Sequence, residues 1–143
     1  MHTNTAARLS AFANPMGGPD EAPRGGGLML RYPDGALRNL TREAGFGNTG
    51  VQGANAIAVC EPSVHRSGAR AIFSMLVGAP TRPGQVMAAW QLHEIRELGR
   101  GQRAVITRVS GQPAGYNNVS PLYASNGAVL SPSDCPRDGA AHL

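Results

Sequence analysis

Pro62-Ser-Val-His-Arg-Ser-Gly68-Ala-Arg-Ala-Ile-Phe-Ser-Met75 reads as a strand, a tight turn and a second strand. Ser67-Gly68 is the turn signal, and Ala71-Ile-Phe-Ser-Met75 is a short apolar run of the length a buried strand takes. The stretch recurs. Pro121-Leu-Tyr-Ala-Ser-Asn-Gly127-Ala-Val-Leu-Ser131 repeats it 59 residues further on with the same Pro-to-Gly spacing. Leu37-Arg-Asn-Leu-Thr41 is echoed by Arg103-Ala-Val-Ile-Thr107 at an offset seven residues longer, a difference that an insertion in a surface loop absorbs at small entropic cost. Self-similarity at this period points to stacked supersecondary units.

Working outward, Leu28 to Thr41 reads as strand, turn, strand around Pro33-Asp34-Gly35, where Pro presets φ and Gly supplies a positive φ. Ala56 to Val59 is a short apolar strand leading into the opening stretch. Residues 88–98 are ambiguous: Leu92, Ile95 and Leu98 recur at three-residue steps as on an amphipathic helix, whereas the repeat requires a strand, and the repeat is followed because tertiary context overrides propensity. Gly99 to Gln102 gives a turn, Arg103 to Val109 a strand, and Gly111 to Asn118 a polar loop.

The order of these pieces resembles TolB-like, WD-type β-propeller repeats. The likeness is carried by Pro62 to Ser74, then Trp90-Gln-Leu-His-Glu-Ile95, then Ala104-Val-Ile-Thr107, with Ser133 to Gly139 similar to the turn that family uses. Tyr32-Pro-Asp-Gly35, Asn39-Leu-Thr-Arg-Glu-Ala-Gly45 and Pro113-Ala-Gly-Tyr-Asn-Asn-Val-Ser-Pro121 bring it nearest to the propeller-bearing family related to the hydrazine synthase alpha subunit. His65-Arg-Ser-Gly68 stands where that family has Ser-Pro-Asp-Gly, Ser131 where it has an aromatic, and Cys135 where it has Arg. The resemblance implies an all-β fold of antiparallel strands, about one and a half propeller blades over residues 28–143, behind a flexible, disordered Gly/Pro-rich leader over residues 1–27. A propeller needs about four to eight blades, so the chain is expected to be a piece of a longer propeller protein. The expected partners are the remaining blades, or self-association, together with an unidentified ligand, in a periplasmic or extracellular setting.

Composition limits the function classes. Nineteen Gly and eleven Pro favour turns and short strands, and seven aromatic residues allow only a thin core. The net charge of +4 comes from thirteen Arg and no Lys, scattered from Arg8 to Arg137 without the clustering of a phosphate-backbone patch, so nucleic-acid binding is not expected. No apolar run is long enough for a membrane span, and none precedes Ala11-Phe-Ala13 in the manner of a signal peptide.

Motifs for chemistry are sparse. Gly45-Phe-Gly47-Asn-Thr-Gly50 is formally Gly-x-Gly-x-x-Gly, but a dinucleotide site needs a strand before it and a helix after it, and Val51-Gln-Gly-Ala-Asn55 has no helical pattern; a glycine-rich loop is expected. Cys60 and Cys135 form neither a zinc nor a haem-attachment motif and read as free thiols, although an exported chain could pair them. His65 reads as an exposed turn residue without a second metal ligand in useful spacing, and Glu94 and Glu97 as surface charges rather than an acid–base pair. Asn39-Leu-Thr41 and Asn118-Val-Ser120 fit the N-glycosylation pattern, which is too common to argue from. No catalytic, cofactor-binding or metal-binding residue and no cofactor is expected. The reading is a non-catalytic binding or scaffold piece; the alternatives are part of a redox enzyme related to hydrazine synthase, whose Cys-x-x-Cys-His is missing here, or a decayed remnant.

Overall fold

The stretch from Pro62 to Met75 forms most of two neighbouring strands in a four-stranded antiparallel meander. The structure, a computed structural model, describes residues 2–3, 19, 22–80 and 88–136. Its elements are β1 (His2–Thr3), β2 (Gly27–Arg31), β3 (Leu37–Asn39), α1 (Leu40–Glu43), β4 (Ile57–Val64), β5 (Arg70–Val77), β6 (Gln91–Arg96), β7 (Val105–Arg108), β8 (Leu122–Tyr123) and β9 (Val129–Leu130). They make three antiparallel sheets, β1-β2-β3, β4-β5-β6-β7 and β8-β9, each in chain order.

The meander is the core because β5 is apolar on both faces. Ala71 to Leu76 are all buried, and alternate residues face opposite ways. Phe73 and Met75 pack with Ile57, Val59, Ile95, with Leu28 of the neighbouring sheet and with Leu40 of α1. On the other face Leu76 packs with Ala58, Trp90 and Val119. Full burial of a side chain such as Phe73 or Ile57 contributes about 1.5–3 kcal/mol. Residues 91–96 are strand, as the repeat required: their apparent three-residue period arises because Leu92 and Ile95 are buried on opposite faces of a doubly covered sheet.

Three hairpin turns share one local design. In each, the glycine N–H donates to the carbonyl three residues back: Gly35 to Tyr32 at 2.9 Å, Gly68 to His65 at 2.8 Å and Gly127 to Ala124 at 2.9 Å. The side chain before each glycine accepts from the N–H of the alanine after it: Asp34 from Ala36 at 3.1 Å, Ser67 from Ala69 at 3.3 Å and Asn126 from Ala128 at 3.0 Å. The three glycines sit at φ 87°, 70° and 84°, which is why the sequence reads Asp, Ser or Asn, then Gly, then Ala at all three.

Two boundaries differ from the sequence reading. Leu40 and Thr41, expected to end a strand, open the short helix α1. Asn39 caps it, its Oδ1 accepting from Arg42 N at 3.0 Å and from Thr41 Oγ1 at 2.9 Å, and the turn buries Leu40 in the core. The echo between residues 37–41 and 103–107 is therefore one of sequence only, since Thr41 is buried in a helix and Thr107 is exposed in β7. At the front, Gly27 already belongs to β2, Gly25 N donates to Ile57 O at 3.0 Å, and the buried Arg24 donates from Nε to Gly78 O at 2.7 Å. These bonds tie residues 24–27 to the sheets. The rest of the expected leader, apart from residues 2–3, 19 and 22–23, lies outside the described residues, as does the end of the Ser133 to Gly139 turn.

Candidate functional site

The turn ends of the first two hairpins and of the β6–β7 connection gather around an open groove of about 810 Å³. One wall is Leu30 to Pro33 at the end of β2, a second is Ser67 to Arg70 entering β5, and the third is Arg96 to Gly99 with Gln102 after β6. The Tyr32 hydroxyl donates to Leu98 O at 3.0 Å and accepts from Arg38 Nη1 at 2.8 Å, which joins the first and third walls. Arg38 reinforces the same join: it donates to the carbonyls of Gly99 at 2.8 Å and Gln102 at 2.7 Å while ion-pairing with Glu43 at 2.5 Å. At the rim Arg100 stacks over the Tyr32 ring at 4.1 Å and pairs with Asp34 at 2.5 Å.

Behind the groove, on the face of the meander that meets β8, a charge cluster is arranged around Glu94. Arg70 and Arg96 are directly opposite each other in the β5–β6 register, a placement that repels unless a counter-charge intervenes. Glu94 supplies it. Its Oε1 accepts from Arg70 Nη1 at 3.1 Å and from the Tyr123 hydroxyl at 2.9 Å, and its Oε2 from Arg96 Nε at 2.7 Å. Burial, the largest single influence, pushes the Glu94 carboxyl up, but the bonds from Arg96 and Tyr123 and the charges of Arg96 and Arg70 together outweigh it and hold the group below its usual range. Burial first, and then the bond to Glu94, raise the Tyr123 phenol above its ordinary value. Arg31, exposed at the end of β2, makes no hydrogen bond or ion pair among the described residues. Glu97, also exposed in the groove, stands at φ 61°, a left-handed conformation that costs a non-glycine residue about 1–2 kcal/mol.

A second constellation lies on the same face, where the chain enters β8. Glu61 and Ser120, the residues before the two prolines of the repeat, both take positive φ, 52° and 50°. They bind each other: Ser120 N and Oγ donate to Glu61 Oε2 at 2.8 and 2.6 Å. The register of β4 against β5 shifts between Cys60 and Ser63, so the kink at Glu61 is a bulge that aims the carboxylate at the second copy. The clasp ties the two copies together. Cys60, beside it, is pushed up to about 12 by burial and by the Glu61 charge, so it is an unreactive thiol at neutral pH rather than a nucleophile.

The remaining sequence candidates are dispersed. His65 Nδ1 lies 2.9 Å from Ser67 Oγ and accepts from Ser67 N at 3.2 Å, while its ring packs edge-on against Tyr123 at 4.9 Å; it shapes the turn. Glu94 is taken up by Arg70, Arg96 and Tyr123, while Glu97, three residues on, is exposed and lines the groove. Gly45, Gly47 and Gly50 lie in successive turns with no helix after them, held by Gly47 N to Asn55 O at 3.1 Å and Asn55 Nδ2 to Gly45 O at 3.2 Å. Cys60 and Cys135 are both free, half-buried thiols. His93, which the sequence did not single out, is buried between Phe46 and Phe73 with Nδ1 on Gln91 O at 3.1 Å; burial, with some help from the Arg108 charge, lowers its pKa despite that bond. Among the described residues no group of three or more His, Cys, Asp and Glu is placed to hold a metal ion, and no helix is long and apolar enough to cross a membrane.

No family model, no curated protein and no solved structure matches the chain.

Proposed function

We propose that the chain is a non-catalytic binding module built from propeller-type blades, and that its ligand enters the groove at the turn ends of β2, β5 and β6. The observation that carries the binding reading is that groove: three separate connections converge on it, and strain is stored beside it at Glu97. The propeller part of the reading rests on the sequence resemblance. It is supported by a meander whose four strands pair in chain order, followed by a hairpin with the same turn design, in keeping with about one and a half blades. A non-catalytic role is favoured because the sheltered groups Glu94 and Cys60 are committed to holding structure. Glu94 is saturated by two arginines and a tyrosine, and Cys60 is held protonated. Leu122 and Leu130, opposite each other in β8–β9 and each 59% exposed, form an apolar face where the next blade of a longer parent would pack.

The test is a titration of the whole isotope-labelled chain, followed by amide chemical shifts, with phenol, D-glucose, tetramethylammonium, malonate and pyrophosphate. Saturable shifts concentrated at residues 30–33, 67–70 and 96–102 for any of the five support a ligand groove. If none of the five moves these residues, the groove is a packing feature and the binding reading falls.

A further inference from the structure

At the strand ends opposite the groove, the meander carries a second cavity. We infer that this cavity takes a small hydroxyaromatic acid, its hydroxyl donating to His93 Nε2, its ring on the apolar lining and its carboxylate facing Arg108. The sheet register gathers the site. Alternate residues of a strand share a face, and residues paired across strands lie on the same face, so Met75 and Val77 of β5, Gln91 and His93 of β6 and Arg108 of β7 all stand on one side of the meander. Together with Ala88, Ala89, Ala114 and Gly115 they line an open cavity of about 280 Å³.

His93 supplies an acceptor. It is 7% exposed, and its Nδ1 lies 3.1 Å from Gln91 O; a carbonyl only accepts, so Nδ1 carries the proton and Nε2 keeps its lone pair. Nε2 has no partner among the described residues. The unpartnered side-chain polar atoms sealed from solvent among those residues are Ser74 Oγ and Trp90 Nε1, so Nε2 is open to the cavity that His93 lines. Burial, joined by the Arg108 charge, keeps the imidazole neutral despite its bond to Gln91 O. An acceptor this sheltered costs stability until a donor meets it. Arg108 supplies the charge. Its Nη2 donates to Gln91 Oε1, while its Nε and Nη1 have no partner among the described residues. Of the residues lining the cavity, Arg108 alone carries a formal charge, so the field there favours an anion. The neighbouring loop is held in shape: Gln91 Nε2 donates to Tyr116 O at 2.7 Å, and Asn118 Nδ2 to Pro113 O at 3.0 Å and Tyr116 O at 3.1 Å, which fixes Ala114 and Gly115 beside the cavity. The apolar lining suits a ring, and the volume, just below the range of about 300–1,000 Å³ usual for drug-sized ligands, admits a small one. A carboxylate alone would leave Nε2 without a donor, and a hydroxyl alone would leave Arg108 without a counter-charge; the ligand carries both.

The test is a titration of the whole isotope-labelled chain at pH 7 with 4-hydroxybenzoate, benzoate and phenol. 4-Hydroxybenzoate should give saturable amide shifts at residues 75–77, 88–93, 108 and 114–115 and should move the His93 Nε2 nitrogen resonance. None of these residues belongs to the groove, so the two sites succeed or fail separately. Benzoate, which lacks the donor, should bind about tenfold more weakly, and phenol, which lacks the charge, about fivefold, the smaller loss because Arg108 is exposed. Arg108→Gln should abolish the advantage of 4-hydroxybenzoate over phenol. His93→Phe, which keeps an aromatic ring between Phe46 and Phe73, should abolish its advantage over benzoate. Arg66→Gln removes an equal charge from the exposed β4–β5 turn and should leave affinity within about twofold. If His93→Phe does not unfold cooperatively, the comparison with benzoate on the wild-type chain decides the role of Nε2. No saturable shift at the cavity residues, or binding of benzoate or phenol as tight as that of 4-hydroxybenzoate, would overturn the site.

Discussion

Replacing Glu94 with Gln keeps the side chain's size and removes the one charge that separates Arg70 from Arg96. The glutamine retains a single acceptor oxygen and turns an NH₂ toward one of the arginines, so either the Arg96 contacts at 2.7 and 2.6 Å or the Arg70 and Tyr123 contacts at 3.1 and 2.9 Å are lost. Arg96 is 59% exposed and its share is worth less than about 1 kcal/mol, while the more sheltered Arg70 and Tyr123 bonds bring the loss to about 2–3 kcal/mol at pH 7. Urea unfolding followed by the single, buried Trp90 should show a lower midpoint with an unchanged slope. The pH dependence gives a second check. The Glu94 carboxyl is held below its ordinary value of 4.5, so its contribution is complete above that value and disappears as pH falls through the folded-state pKa. The gap between wild type and variant should therefore narrow as pH falls below 4.5. A gap that does not narrow at all on acidification, or one smaller than about 0.5 kcal/mol at pH 7, would refute the role given to this charge.

Two further outcomes follow from local geometry. Gly68→Ala and Gly47→Ala both force a side chain into positive φ, but a Cβ at Gly68 meets nothing within 4 Å whereas one at Gly47 comes within 3.0 Å of Ile57; urea unfolding should show a loss of about 1 kcal/mol for the first and a clearly larger one for the second. His93 is neutral in the fold because burial depresses its pKa below 6.5, so it favours folding above that value and opposes it as pH falls through the window beneath; His93→Gln should flatten the decline in thermal midpoint on going from about pH 6.5 to 5.

The hairpins are the part of this fold written into local sequence. Pro33-Asp34-Gly35, Ser67-Gly68 and Asn126-Gly127 each carry their own instructions, since the donor, the acceptor and the positive-φ residue lie within five consecutive positions. The recurrence of the Pro-to-Gly spacing likewise marked two hairpins and the residues before their prolines, although not that Glu61 and Ser120 would meet. Leu40 and Thr41 were misplaced because a capping Asn39 and the chance to bury Leu40 outweighed the continuation of a strand. Residues 91–96 could be settled only by the sheet that covers them on both faces, since helix and doubly buried strand leave the same apolar marks on so short a run. The charge cluster around Glu94 was not legible at all. Arg70 and Arg96 are separated by 26 residues of chain, and what sets them opposite each other over Glu94 is the β5–β6 register, a property of hydrogen-bonded pairing between strands that no single stretch of sequence contains. Local chemistry thus fixed the turns and strands, while the charge constellation was decided by tertiary pairing, because only pairing determines which distant side chains must share one carboxylate.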